Sequence, residues 1–310
     1  MISTVTLNPA YDKAVEVQDL IPHQVNQILS SRFDPGGKGI NVSRVLAEME
    51  FPTRAMGIIG GDTGLYIKSH LEARGIATGF VEIDQPTRTN LTVTDIGDPP
   101  PTELNEPGPV IDEAIMLQVE KTILDALTES KLFVFAGSLP RGCPDDTYCR
   151  LIDLVRRRGA TAILDTRDGA LVEGIKARPF MIKPNHHEAG DLLGRKVESI
   201  EEVARACEDF TRQGITVAII SMGKRGAVMA CPEGTFLAIP PPVQVDSAVG
   251  AGDSLVAGMC MGIALKYSFA DSLRLGVAAG TATATTPGTA LCKKEVVEAL
   301  NNRVEIEKLN

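Results

Sequence analysis

Residues 246–254 read Asp-Ser-Ala-Val-Gly-Ala-Gly-Asp-Ser, and a helical spacing follows, carried by Leu255, Val256, Met259, Cys260 and Ile263. Gly250, Ala251 and Gly252 then fall at a helix N-terminus. Small residues there let backbone N–H groups close on an anion, and the macrodipole favours negative charge. Asp253 lies on the first turn, facing whatever those amides hold. An anion hole beside a carboxylate is what phosphoryl transfer needs: stabilised phosphate charge and a base for the attacking hydroxyl. An aspartate in a first turn can also simply complement the dipole, and this stretch alone does not separate the two roles.

A second glycine-rich turn, Pro-Gly-Gly-Lys-Gly-Ile-Asn at 35–41, precedes a helix marked by Val42, Val45, Leu46 and Met49. Gly36, Gly37 and Gly39 permit close backbone approach to a ligand, and Lys38 and Asn41 offer donors to sugar hydroxyls or phosphate. A tight strand-to-helix turn with a solvated lysine accounts for the pattern equally well. The chain has no Walker A sequence GxxxxGK[ST], and neither turn is the GxGxxG of a dinucleotide fold.

Both turns need a scaffold of strands feeding helices, and the rest of the sequence supplies one. Apolar runs at 55–59, 132–135, 162–165, 180–183 and 217–221 have the continuous hydrophobicity of strands buried on both faces. Helical patterns at 110–127, 146–158 and 200–213 lie between them. This alternation predicts an α/β fold with a mostly parallel central sheet and helices on both sides. Residues 11–35 and about 85–108 break it, being strand-like and polar at alternate positions. They are expected to form a small β-sheet lid on a single domain spanning 1–310. Asp98-Pro-Pro-Pro101 is expected to be a rigid turn in that lid.

Composition narrows the function. Hydrophobic residues make up 44% and charged residues 23%, as in a globular chain. A net charge of −9 argues against the broad basic surface of a nucleic-acid binder, yet leaves room for a local cationic site for a small anion. The six cysteines form no CxxC pair, so free buried thiols are expected rather than zinc or a disulfide framework. The N-terminus lacks a basic n-region and apolar h-region, and no run approaches the roughly 18 apolar residues of a membrane span. A cytoplasmic protein without nucleic-acid or membrane partners is the expectation.

Taken together the two turns resemble those of the ribokinase-like carbohydrate kinases, specifically the phosphofructokinase B branch. The resemblance extends through Thr6-Leu-Asn-Pro-Ala-Tyr-Asp12, Gly36-Gly-Lys-Gly39 with Asn41, Thr87-Arg-Thr-Asn90 and Ala136-Gly-Ser-Leu-Pro140. It continues with Lys183-Pro-Asn-His-His-Glu188, Ser221-Met-Gly-Lys-Arg-Gly226 and Val249-Gly-Ala-Gly-Asp-Ser254. It covers nearly the whole chain, with the motifs in the family's order. It implies a ribokinase-like three-layer fold and ATP-dependent phosphorylation of a ketohexose phosphate, with Mg²⁺ bridging the nucleotide phosphates.

By that resemblance Asp253 is the base, and the backbone of Gly250, Ala251 and Gly252 holds the transferring phosphoryl group. Asp12, Gly36, Gly37, Lys38, Gly39, Asn41 and Ser138 line the sugar pocket, and Arg88 clamps the phosphate already on the substrate. Lys183, Asn185, Ser221, Gly223, Lys224, Gly226, Gly252 and Gly280 surround ATP, and Asn185 with Glu188 organises Mg²⁺, through water. Asn185 and Glu188 also match a helix-capping box. The adjacent His186 and His187 are read as solvated rather than as metal ligands. Pairing of two lids into a homodimer is expected as well.

The branch contains several ketohexose-phosphate kinases. The start 6–12 and the turn 36–39 look most like 1-phosphofructokinases, which act on fructose 1-phosphate; 6-phosphofructokinases of the minor type and tagatose-6-phosphate kinases are the alternatives. Members acting on fructose 6-phosphate tend to carry basic residues where this chain has Val25 and Gln27, and another glycine at Lys38. Arg167 and Asp168 replace residues that are small and polar in many relatives, and no role is read for them. A catalytically silent sugar-phosphate-binding regulator would share the fold, but the intact Gly-Ala-Gly-Asp speaks against it. The missing GxGxxG speaks against a nicotinamide oxidoreductase.

Overall fold

A computed structural model describes residues 1–96 and 101–309. Asp98, Pro99 and Pro100, three of the four residues of the expected rigid turn, lie outside the described residues. The strands run β1 (Ile2–Thr6), β2 (Ala10–Val17), β3 (Ile28–Gly36), β4 (Thr53–Gly60), β5 (Ala77–Ile83), β6 (Arg88–Asp95), β7 (Thr102–Asn105), β8 (Leu132–Ala136), β9 (Thr161–Asp165), β10 (Met181–Ile182), β11 (Val217–Ser221), β12 (Ala227–Cys231), β13 (Gly234–Ile239) and β14 (Glu305–Lys308). The helices are α1 (Lys38–Glu48), α2 (Gly61–Glu72), α3 (Glu113–Ala126), α4 (Thr147–Arg156), α5 (Asp168–Ile175), α6 (His186–Leu193), α7 (Ile200–Arg212), α8 (Ala251–Ala264), α9 (Phe269–Ala284) and α10 (Lys294–Asn301).

The large sheet has the order β14-β13-β12-β11-β10-β9-β8-β1-β4-β5, parallel from β11 to β5 and antiparallel at the β12–β14 edge. Its period-2 geometry sorts side chains between two cores. In β8, Phe133 and Phe135 join the core under α3, α4 and α7, while Leu132, Val134 and Ala136 join the core under α1, α8, α9 and α10. Such strands are apolar on both faces, which is why the sequence shows them as unbroken hydrophobic runs.

A smaller sheet of order β3-β2-β6-β7 draws on the two stretches that break the α/β alternation. The pairings Asp12↔Asn90 and Asp12↔Asp34 put three polar side chains on one face, while Val15, Val17 and Val93 cluster on the other.

Some expected boundaries move. The expected helix at 110–127 begins at Glu113, because the Asp112 side chain caps it by accepting from Ile115 N, and Val110 instead bridges Arg141. The expected strand at 180–183 is paired only over Met181–Ile182. Among the described residues no helix is long and apolar enough to cross a membrane.

Candidate active site

Most of the residues singled out from the sequence converge beyond the C-terminal ends of β1, β8 and β9, between the large and the small sheet. Helix α8 opens there. Gly250 is its N-cap, and the amides of Gly250, Gly252 and Asp253 find no acceptor among the described residues. Ala251 departs from the expectation: its amide donates to Ala248 O at 3.3 Å and is spent on the turn. The free donors are therefore residues 250, 252 and 253, not 250–252.

Gly280 has a packing role. It is buried in α9, and a Cβ there would lie 2.9 Å from Ala251 O. That glycine brings α9 hard against the first turn of α8, a packing reason for a small residue at this position.

Asp253 is buried and accepts from Asn41 Nδ2 at 2.8 Å. Burial raises its pKa above the ordinary carboxylate value and Asp165 adds to the rise, while Lys38, the Asn41 hydrogen bond and Lys183 oppose it. The carboxylate is thus a stronger base than in water, as proton abstraction requires.

Lys38 donates to Asp165 Oδ1 at 3.0 Å, and Lys183 approaches the same oxygen at 3.5 Å. Burial alone would pull the Lys38 pKa down, but Asp165 and Asp253 outweigh it and the net shift is upward. Asp165, likewise buried, is held below the usual carboxylate range by the two ammonium groups. Lys183 Nζ also sits beside Gly252, 3.3 Å from where a Cβ would stand. Two positive charges and an open helix N-terminus thus surround one small volume, a setting suited to anionic oxygen atoms.

Asp165 was no candidate in the sequence reading, which took it as the end of a buried strand. The only signal was a carboxylate closing an otherwise apolar strand, Thr-Ala-Ile-Leu-Asp. Its Oδ2 has no partner among the described residues.

On the polar face of the small sheet, Asp12 accepts from Asn90 Nδ2 at 2.9 Å. Burial raises its pKa to about 6, against the opposing effects of Asn90, Arg88 and Arg44. Gly36 makes the space: a Cβ there would stand 1.9 Å from Asp12 Oδ2. The Arg88 guanidinium donates to the carbonyls of Asn8, Pro9 and Glu106 at 3.0–3.4 Å, which fixes its plane. Ser138 meets Asn8 Nδ2 at 3.4 Å. Arg167 is exposed and pairs with its own neighbour Asp168 at 3.4 Å.

Asn185 and Glu188 form a complete capping box on α6. Asn185 Oδ1 accepts from the amides of His187 and Glu188, and Glu188 Oε2 accepts from Asn185 N. The Asn185 oxygen is therefore engaged twice, and the acceptor left over is Glu188 Oε1. Among the described residues no cluster of three or more His, Cys, Asp or Glu could hold a metal ion. This donor set fits a magnesium ion held by phosphates and water, with Glu188 at its margin. Ser221 bridges the Asn185 strand extension, and Gly223 and Lys224 lie in a 3-10 turn with Gly226 just beyond it.

Residues 5–296 match the family described as pfkB family carbohydrate kinase. The chain belongs to that family. It is a phosphotransferase acting on carbohydrate, with ATP as the co-substrate the family implies. The 1-phosphofructokinase of Bacillus subtilis is 37% identical over 310 residues, covering all of both chains. Among solved structures, phosphofructokinase-2 from Escherichia coli in complex with potassium superposes with a TM-score of 0.92 at 30% identity, covering 97% of this chain and 98% of that one. The tetrameric inhibited form of the same enzyme gives 0.91 at 30% identity and the same coverage.

Proposed function

We propose that this member of the family moves the γ-phosphoryl group of ATP to the free primary hydroxyl of fructose 1-phosphate, giving fructose 1,6-bisphosphate. The observation that carries the chemistry is Asp253: a buried carboxylate at the mouth of α8, beside three unpaired amides and within hydrogen-bond reach of Asn41. Asp253 takes the hydroxyl proton as the oxygen attacks phosphorus, the bond to the β–γ bridging oxygen breaks, and ADP leaves. The amides of Gly250, Gly252 and Asp253, with Lys38 and Lys183, carry the equatorial charge. Asp12, Asn90 and Asn41 orient the sugar hydroxyls, and Arg88 takes the phosphate already present. Magnesium, held through Glu188 and water, would neutralise nucleotide charge.

The choice of fructose 1-phosphate rests on full-length likeness to 1-phosphofructokinases, on Lys38 in the glycine turn, and on the lack of basic residues at Val25 and Gln27. The two fructose phosphates each present a phosphate at one end and a primary hydroxyl at the other. Discrimination must therefore come from secondary hydroxyls, each costing about 1–3 kcal/mol if left unpaired. Two measurements test the reading. Asp253→Asn should lower kcat by roughly 10²–10⁴-fold with ATP affinity nearly unchanged; a loss below about threefold would remove the base. For the wild type, kcat/KM for fructose 1-phosphate should exceed that for fructose 6-phosphate or tagatose 6-phosphate by at least about tenfold. A ratio reversed towards fructose 6-phosphate would make it a 6-phosphofructokinase, and one reversed towards tagatose 6-phosphate a tagatose-6-phosphate kinase.

The small sheet acts in this reading as a lid over the sugar, in one domain with the large sheet. Its edge strands leave Ile28, Leu29 and Leu104 exposed, as is Val25 in the loop before β3, and an isolated sheet of four strands gains stability by packing on another surface. A homodimer joined through two lids is the assembly this favours.

A further inference from the structure

Asp253 receives its hydrogen bond from Asn41, and a side-chain amide can present either its N–H or its oxygen. What fixes that choice lies one residue deeper. Arg44, one helical turn after Asn41 in α1, is buried and donates through Nη1 to Asn41 Oδ1 at 3.2 Å and to Pro35 O at 2.8 Å. Its Nη2 meets Asp34 Oδ1 at 3.0 Å. Asp34, near the end of β3, is itself held from two further sides: Arg32 Nε at 2.7 Å and Thr289 Oγ1 at 2.7 Å, the latter from the segment between α9 and α10. A flipped Asn41 amide would set N–H groups against the guanidinium and an oxygen against the Asp253 carboxylate, two repulsive contacts in place of two attractive ones.

We propose that Arg44 is a positioning residue for the transfer: anchored by Asp34, it locks the Asn41 amide in the orientation that gives an N–H to Asp253. This rests on the reading of Asp253 as the base. The arrangement makes little sense as a device for stability alone. A buried ion pair is readily replaced by apolar side chains without loss of stability, and Arg44 Nε has no partner among the described residues. It makes sense as a device for keeping a buried base usable. Facing Asp253 are Lys38 and Asn41 from α1, Asp165 at the end of β9, and Lys183 beyond β10. Desolvation and Asp165 favour its protonated form, and the Asn41 bond opposes them. Losing that bond raises the pH at which the base becomes available.

The test is kcat against pH at saturating fructose 1-phosphate and ATP, so that binding through Asp12, which Arg44 also touches electrostatically, drops out. The variants are Asn41→Ala and the neutral pair Arg44→Met with Asp34→Asn, which strands no buried charge. Both should move the acid limb upward by about one pH unit and so lower kcat by about tenfold at pH values below that limb. KM for ATP should stay within about twofold. Adding Asn41→Ala to the neutral pair should produce no further movement, because Arg44 acts through that amide. If the neutral pair does not fold, Arg44→Lys serves instead: it keeps a charge for Asp34 but cannot span Asp34 and Asn41 together, so it should move the limb in the same direction. An acid limb left in place by the Arg44 variants, with Asp253→Asn inactive, overturns the role of Arg44 alone. Near-full activity in Asp253→Asn overturns the base and this inference with it.

Discussion

Replacing Gly36 by alanine adds one carbon to the wall against which the Asp12 carboxylate rests. The new Cβ would stand 1.9 Å from Oδ2 and 2.2 Å from Cγ, where about 3.0 Å is the nearest approach that real Cβ atoms make. The backbone at Gly36 suits alanine, since it is extended and paired with Ala10 at the end of β3. Relief must therefore come from the aspartate, whose carboxylate has to retreat by about 1.1 Å. That distance breaks the 2.9 Å bond from Asn90 and takes the oxygens away from a sugar hydroxyl. A misplacement of about 1 Å is worth as much as 10²-fold in rate, and a lost charge-assisted hydrogen bond about 1.5–3 kcal/mol. Gly36→Ala is thus expected to lower kcat/KM for the sugar phosphate by roughly 10–150-fold while KM for ATP moves less than about twofold. Overpacking should cost about 1–3 kcal/mol of stability, so a melting curve accompanies the steady-state kinetics. A folded variant with an unchanged KM for the sugar phosphate would show that Asp12 does not bind it, or that the pocket yields elsewhere.

Arg88→Ala should raise KM for the sugar phosphate by roughly 10–150-fold and leave KM for ATP nearly alone; equal effects on both substrates would reduce Arg88 to its three carbonyl contacts. Because the Asp12 pKa is raised to about 6, the affinity for sugar phosphate measured without ATP should weaken as pH falls through about 6, as the acceptor gains a proton. The ligand's own second ionisation, also near 6, affects wild type and Asp12→Asn alike, so the difference between their profiles reports Asp12; identical profiles would refute it. For stability the same raised pKa has the opposite sense: the folded chain holds the proton more tightly, so Asp12 costs stability as pH rises from about 4 through about 6. For assembly, light scattering at micromolar protein should report a dimer, and replacing Ile28 and Leu29 by lysine should yield monomers; a fully active wild-type monomer would refute pairing through the lid.

Much of the scaffold is legible in one dimension because burial on two faces leaves a one-dimensional trace. Val217–Ser221 forms strand β11 at the expected boundaries, and the run at 132–135 is β8 with one residue added. The two polar, alternating stretches likewise show as the smaller sheet, whose one wet face demands period 2. The short β10 was legible only as hydrophobicity, since pairing over two residues leaves nothing else to see. The Asn185–Glu188 spacing fitted both a metal site and a capping box; the Asn185 oxygen, engaged by two amides, shows that the box is formed.

The glycine turns are legible locally, and a helix start with small residues and a carboxylate shows within nine residues, although those nine leave the role of Asp253 open. Which atoms remain free for a substrate is another kind of fact. Ala251 differs from its neighbours only because its amide reaches Ala248 O, and the close packing at Gly280 arises only because α9 crosses the first turn of α8. Asp165 becomes part of the site through Lys38, 127 positions away, and Lys183. Arg44 meets Asn41 and Asp34, and Asp34 in turn meets Thr289, 255 positions along the chain. Hydrogen bonds and desolvation depend on distance in space, and strands brought side by side in the sheet set those distances without leaving any periodicity in the sequence to announce them.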